Sequence, residues 1–137
     1  MNFKASKMVL AVVLCLLFVA AAALAGKANS PVVCHKGKQC TCSVINNCTF
    51  SCAEEGCSYS SNGTGNTTAS CDKGKCTGSN NGTGNFTLDC KGNGCTLTCN
   101  GTGNCEITGC TKDCKVACHG TGDCSNTCTD PSCTTNQ

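Results

Sequence analysis

The chain has 137 residues, of which 19 are Cys and 16 Gly, with no Trp, one Tyr and four Phe. Its formal charge at pH 7 is only +2. A near-neutral balance with no basic stripe and no aromatic platform argues against a nucleic-acid partner.

Taken from the N-terminus, Lys4 and Lys7 precede an apolar run from Met8 to about Ala25, closed by the small-x-small sequence Ala23-Leu24-Ala25. This predicts a secretory signal peptide over residues 1–25. The run is also long enough for the alternative of an uncleaved membrane anchor. Cys15 follows Leu14, not the small residue that a lipid-attachment cysteine wants. The expected product is a single domain over 26–137, exported to the cell surface or medium (the periplasm of a Gram-negative cell), with no membrane contact after cleavage. It keeps eighteen cysteines, eight Lys, no Arg and eight acidic residues. An even number of cysteines in an exported chain predicts a disulfide framework made in an oxidising compartment. The few apolar residues cannot offset the chain entropy alone, so crosslinks are expected to supply much of the stability.

Residues 62–66, 81–85 and 100–104 all read Asn-Gly-Thr-Gly-Asn, and 119–123 read His-Gly-Thr-Gly-Asp, each starting nineteen residues after the last. A fixed period near twenty is the signature of stacked coils. Within it, five-residue units occupy 48–52, 57–61, 67–71, 76–80, 86–90, 95–99, 105–109, 114–118 and 124–128. Cysteine and apolar residues take their first, third and fifth places, and Thr, Ser and charged residues mostly the others. Period-two alternation predicts half-buried strands. Carrying the register backwards places further strands at 38–42 and 29–33.

Connectors of four residues (53–56, 72–75, 91–94, 110–113, 129–132) alternate with the five-residue corners. Gly and Asn are expected there because they supply positive φ. The predicted fold class is all-β: a two-sided, disulfide-rich β-solenoid of about five and a half 19-residue coils, a rod roughly 25 Å tall at about 4.8 Å per rung.

Strand ends that meet across a corner are candidate bridges. Across the four-residue corners these are Cys52–Cys57, Cys71–Cys76, Cys90–Cys95, Cys110–Cys114 and Cys128–Cys133. Across the five-residue corners they are Cys42–Cys48, Cys99–Cys105 and Cys118–Cys124, which leaves Cys34 and Cys40 for each other. Where the second bridge is missing, both slots are lost together: Ser61 with Thr67, and Asn80 with Phe86. Vertical pairing between coils, such as Cys52 to Cys71, stays open as the alternative, since spacing alone does not fix connectivity. A bridge closing so short a loop is worth about 2 kcal/mol in the chain-entropy model.

Over residues 34–133, inward cysteines flanked by outward Thr or Ser, glycine corners and short coils resemble the disulfide-stapled β-solenoids, of which the beetle antifreeze proteins are best known. They are also similar to cysteine-rich repeat proteins exported by some bacteria. The beetle proteins have shorter coils and a strict Thr-Cys-Thr face. Here the coil is longer and the residue between the outward pair is usually apolar or small, so the resemblance implies the fold rather than the activity.

The outward ladders are the candidate binding surface, with Thr49, Thr68 and Thr87 on one face and Thr77, Thr96 and Thr98 on the other. A flat hydroxyl grid can order water as ice does; high β propensity alone also puts Thr on a solvated face. Asp89, Glu106 and Lys115 interrupt the grid. Gly-x-Gly corners suggest calcium, with only His119 and Asp123 as a ligand pair, and many cysteines suggest soft metals. Oxidised export argues against the latter. No Ser, His and Asp set supports catalysis, and no cofactor is expected. Sequons stand at Asn47, Asn62, Asn66, Asn81, Asn85 and Asn100, expected to carry glycans if the source is eukaryotic. The expectation is a secreted, non-enzymatic structural or interaction protein whose rigid repetitive surface meets a polysaccharide, ice or further copies of itself, with an ice-binding protein as the alternative and a metal-binding cysteine-rich protein as the third reading.

Overall fold

The computed structural model describes residues 31–137. The expected signal segment and the first two residues of the strand expected at 29–33 lie outside the described residues. The elements are β1 (Val32–Val33), β2 (Gln39–Cys42), β3 (Cys48–Cys52), β4 (Ser58–Ser61), β5 (Thr67–Cys71), β6 (Thr77–Asn80), β7 (Phe86–Cys90), β8 (Thr96–Cys99), β9 (Cys105–Thr108), β10 (Lys115–Cys118), β11 (Cys124–Asn126) and β12 (Thr134–Asn136). There is no helix among the described residues. The strands alternate between two six-stranded parallel sheets, ordered β1-β3-β5-β7-β9-β11 and β12-β10-β8-β6-β4-β2. From β2 onward each strand pairs with the one nineteen residues later, as Cys48↔Thr67↔Phe86↔Cys105 and Ser58↔Thr77↔Thr96↔Lys115. This is the two-sided β-solenoid that the spacing predicts.

The inward places form one narrow core between the sheets. Phe50, Tyr59, Ala69, Phe86, Leu88, Leu97, Ile107 and Val116 are fully buried among the cysteines. Phe50 and Tyr59 stack with ring centroids 5.8 Å apart. The Tyr59 hydroxyl donates to the Ser70 carbonyl at 2.7 Å, and burial, helped by the Asp72 charge, pushes its pKa up to about 12. Gly78 makes room for large neighbours: a Cβ there would lie 2.7 Å from Leu97 Cδ1 and 3.3 Å from the Phe86 ring.

The nine disulfides are Cys34–Cys40, Cys42–Cys48, Cys52–Cys57, Cys71–Cys76, Cys90–Cys95, Cys99–Cys105, Cys110–Cys114, Cys118–Cys124 and Cys128–Cys133. Each closes a corner of its own coil, and none joins one coil to the next. The two bridgeless corners are closed by hydrogen bonds. Thr67 Oγ1 donates to Ser61 Oγ at 2.9 Å, both side chains buried. Buried Asn80 donates from Nδ2 to the Gly84 carbonyl at 2.8 Å and accepts the Gly82 N–H on Oδ1 at 3.2 Å. A buried polar side chain is tolerated when it satisfies backbone groups in this way.

Two expectations are corrected. At the N-terminal end Val32 pairs with Phe50 and Val33 with Ser51, a step of eighteen rather than nineteen. Val32 therefore takes the inward column and Val33 turns out, 60% exposed. The first corner absorbs the change: Cys34 and Cys40 are six residues apart, where the other four-residue corners span five or four. Lys38, expected in an inward place, is exposed in a turn closed by its N–H on the His35 carbonyl at 3.0 Å.

The second correction concerns why the corners need glycine. Positive φ is confined to the four-residue corners and their borders, at Gly37, Gly56, Gly74, Gly94 and Gly109, with Lys75 and Asp113 besides. No Asn and no glycine of a five-residue corner adopts it among the described residues. There the reason is contact. A Cβ on Gly63, Gly82, Gly101 or Gly120 would collide with the carbonyl oxygen of the coil before it, and so would one on Gly65, Gly84, Gly103 or Gly122. The first such corner, 43–47, carries Val44 and Asn46 at these places.

The two kinds of glycine respond differently to Asn, which visits the left-handed region readily. Gly56, at φ 80° with its nearest neighbour 3.9 Å from an added Cβ, accepts Asn for less than about 1 kcal/mol. Gly82→Asn drives a side chain into backbone and costs about 3 kcal/mol or more. Denaturant midpoints of the oxidised variants check this; equal losses would mean that both corners are ordinary left-handed turns.

Candidate functional site

The constant register turns outward residues into continuous columns. On one face Thr49, Thr68, Thr87 and Glu106 stand in line, beside Ser51, Ser70, Asp89 and Thr108. On the other face Gln39, Ser58, Thr77, Thr96, Lys115 and Thr134 form one column, and Thr41, Ser60, Ser79, Thr98, Ala117 and Asn136 the second. All six candidate threonines thus fall in columns: Thr49, Thr68 and Thr87 are neighbours in one, Thr77 and Thr96 in another, and Thr98 in the one beside it. Thr49, Thr68 and Thr77 are exposed and Thr87, Thr96 and Thr98 half-buried. Hydroxyls in a column are near enough to bond each other, as Ser58 Oγ and Thr77 Oγ1 do at 3.1 Å. Charged side chains end three of the columns after two or three hydroxyl rungs; the fourth, Thr41-Ser60-Ser79-Thr98, runs four rungs before Ala117, with Ser60 itself buried.

The edge of five-residue corners is more uniform than either face. Asn47 Oδ1 accepts the Asn66 N–H at 2.9 Å, Asn66 Oδ1 that of Asn85 at 3.0 Å, Asn85 Oδ1 that of Asn104 at 2.9 Å, and Asn104 Oδ1 that of Asp123 at 2.9 Å. A second ladder runs through the first corner places: Asn81 Nδ2 donates to Asn62 Oδ1 at 3.1 Å and Asn100 Nδ2 to Asn81 Oδ1 at 2.9 Å. Between the ladders stand the exposed Thr64, Thr83, Thr102 and Thr121. Sequence reasoning took these asparagines for turn residues and glycan acceptors. The signal is the repeat itself: the same residue type returns at the same register place from coil to coil, which at a parallel-ladder spacing lets the side chains bond along the stack. All six sequon asparagines are exposed on this edge. His119 and Asp123 close its last corner, both exposed.

The opposite edge is charged. Lys75 Nζ pairs with Glu55 at 3.0 Å, Lys91 Nζ with Asp72 at 3.0 Å, and His35 Nδ1 with Glu54 at 3.1 Å, each between successive corners. Such exposed pairs contribute little apiece. The hydrogen bond from His35 and then the Lys36 N–H on Oε2 at 3.0 Å hold Glu54 below its ordinary carboxylate pKa. The Lys75 hydrogen bond does the same for Glu55.

All cysteines of the described residues are in disulfides. Two sets of sulfurs, Cys90 with Cys95 and Cys114, and Cys110 with Cys128 and Cys133, lie within 4.8 Å of one another. In the oxidised protein these are bridge sulfurs and not the thiolates that soft metals bind. So many bridges match formation in an oxidising compartment. No protein-family model, curated protein or solved structure matches the chain.

A carboxylate whose folded pKa is depressed stabilises the fold above its unfolded pKa, and that contribution is lost as pH falls through the folded value. Glu54 therefore keeps its charge, and the first two corners stay tied, until the pH drops below the usual glutamate range. An NMR titration should find Glu54 titrating below a free glutamate, and His35→Ala should move it back up. An unchanged Glu54 titration in that variant would remove His35 as the cause.

Proposed function

We propose that this chain is a secreted, non-enzymatic structural or interaction element, working outside the cell by presenting a rigid, repetitive polar surface to an equally repetitive partner. The partner class that fits best is a polysaccharide, whose evenly spaced hydroxyls can bond to columns of Thr, Ser and Asn side chains. The observation that carries the reading is the nineteen-residue register kept from β2 onward, which lines up outward side chains over several coils. Rigidity supports it further. Corners locked by bridges, and asparagines already bonded along the edge, lose little freedom on binding, so few contacts are needed to offset the ordering cost.

A second reading, ice binding, draws on the runs Thr49-Thr68-Thr87 and Thr77-Thr96, where threonines of successive coils are direct neighbours. The charged side chains in the same columns count against it.

Co-sedimentation of the oxidised protein with a panel of insoluble polysaccharides tests the first reading. Retention is expected on at least one, falling about tenfold or more when Thr68→Tyr and Thr96→Tyr place bulk on the two faces. A protein that none of the polysaccharides retains, or retention that ignores both substitutions, refutes it. Thermal hysteresis decides the second reading: a wild-type protein without any leaves ice binding with no support.

A further inference from the structure

The bridges of the four-residue corners stack into a column of sulfur, and its last three members touch. Cys114 Sγ lies 3.9 Å from Cys90 Sγ. Cys110 Sγ is within 4.8 Å of both Cys128 and Cys133. Backbone donors run along the same column: the Cys114 N–H points at Cys133 Sγ at 3.4 Å, and the Cys95 N–H at Cys114 Sγ at 3.3 Å. Burial is graded. Cys90, Cys95 and Cys114 are wholly shielded, whereas Cys128 and Cys133 are half-buried.

We propose that Cys128–Cys133 is a redox-active bridge whose substrate class is a small dithiol, and that thiol–disulfide exchange passes from it inward along the column. A thiolate of the dithiol attacks Cys128 Sγ and the bond to Cys133 breaks. The electron pair leaves on Cys133, where the Cys114 N–H stabilises the thiolate as a hydrogen bond to any anionic sulfur does. The second thiol of the reductant then releases Cys128 as a thiol and closes the reductant's own disulfide. The Cys133 thiolate attacks Cys110, forming Cys110–Cys133 and expelling Cys114, whose thiolate the Cys95 N–H holds. Cys114 in turn attacks Cys90, forming Cys90–Cys114 and expelling Cys95. Two electrons enter and two protein thiols result, on Cys128 and Cys95. The bridge count falls by one, and the opening has moved from the half-buried end to a wholly buried place. Each leaving sulfur except the last is the one that an amide N–H faces, which gives the exchange its direction.

The test treats the full oxidised chain with one equivalent of a small dithiol, alkylates at intervals and maps the peptides without further reduction. The cross-coil bridges Cys110–Cys133 and Cys90–Cys114 should accumulate, with alkyl groups on Cys128 and Cys95. A map showing native pairs only, with alkylation confined to Cys128 and Cys133, overturns the proposal; so does first alkylation at any other bridge. Replacing Cys110→Ser and Cys114→Ser together breaks the column below the opening bridge. Cys128 should still be alkylated, and alkylation of Cys95 should fall to background. Alkylation of Cys95 at the wild-type rate would mean direct attack by the reductant and end the idea. Should that variant fail to fold, the wild-type map decides alone.

Discussion

Everything in this molecule follows from stacking coil on coil at the spacing of a parallel β-ladder. Backbone hydrogen bonds between successive coils, such as Cys48 N–H to the Asn66 carbonyl and Thr67 N–H to that of Asn85, hold the corners as well as the strands at that distance. At such separation a corner has no room for a Cβ aimed at its neighbour, and Gly63, Gly82, Gly101 and Gly120 are the outcome. The same closeness brings each Asn within bonding distance of the corresponding place in the next coil, so the Asn ladders and the glycines have one cause. Parallel sheets satisfy both sides of a strand only if it has two neighbours, and the solenoid meets that demand for all but the two strands at each end, β1 and β2 and β11 and β12.

The core that this stacking encloses is thin. A few apolar side chains, one to three to a coil, share it with sulfur. Disulfides here act both as crosslinks and as core-filling groups, since nearly all of their atoms are shielded from water. Where a coil lacks its second bridge, the substitute is chosen to satisfy the corner rather than to fill it. Ser61 and Thr67 bond each other, and Asn80 bonds the corner backbone while Phe86 supplies bulk over Gly78. Covalent closure is thus exchanged for hydrogen bonding in two successive coils, each of which keeps the bridge at its four-residue corner.

The surfaces differ in how strictly they repeat. The faces tolerate Asp89, Glu106 and Lys115, since an outward side chain on a strand meets only solvent and its column neighbours. The edge of five-residue corners tolerates almost no change, because its residues are fixed by contact with the coil before. That strictness is first a folding constraint, and a regular polar edge results from it. Function has more freedom on the faces, where side chains are not committed to the stack.

Much of the fold was legible in the chain itself. Period-two alternation inside each unit, the alternating corner lengths and the joint loss of Ser61 with Thr67 are local signals that place strands and coils and name the candidate partners across each corner; only the structure excludes vertical pairing between coils. What lies between coils was not legible. Glycine is selected both by a left-handed backbone and by a close neighbour, so the glycines of the five-residue corners were assigned the first cause when the second holds, while Gly56, Gly74 and Gly94 of the four-residue corners do adopt positive φ. The first coil steps by eighteen, with Cys34 and Cys40 six residues apart; that spacing is visible in the chain, but its effect on the register is visible only in the stack. The Asn ladders and the touching sulfurs of Cys90, Cys110, Cys114 and Cys133 exist only after coils are laid one on another. Periodicity along the chain determined which residues face in and which face out; only the tertiary stack decided which of them meet, because contacts nineteen residues apart depend on a spacing that no single coil contains.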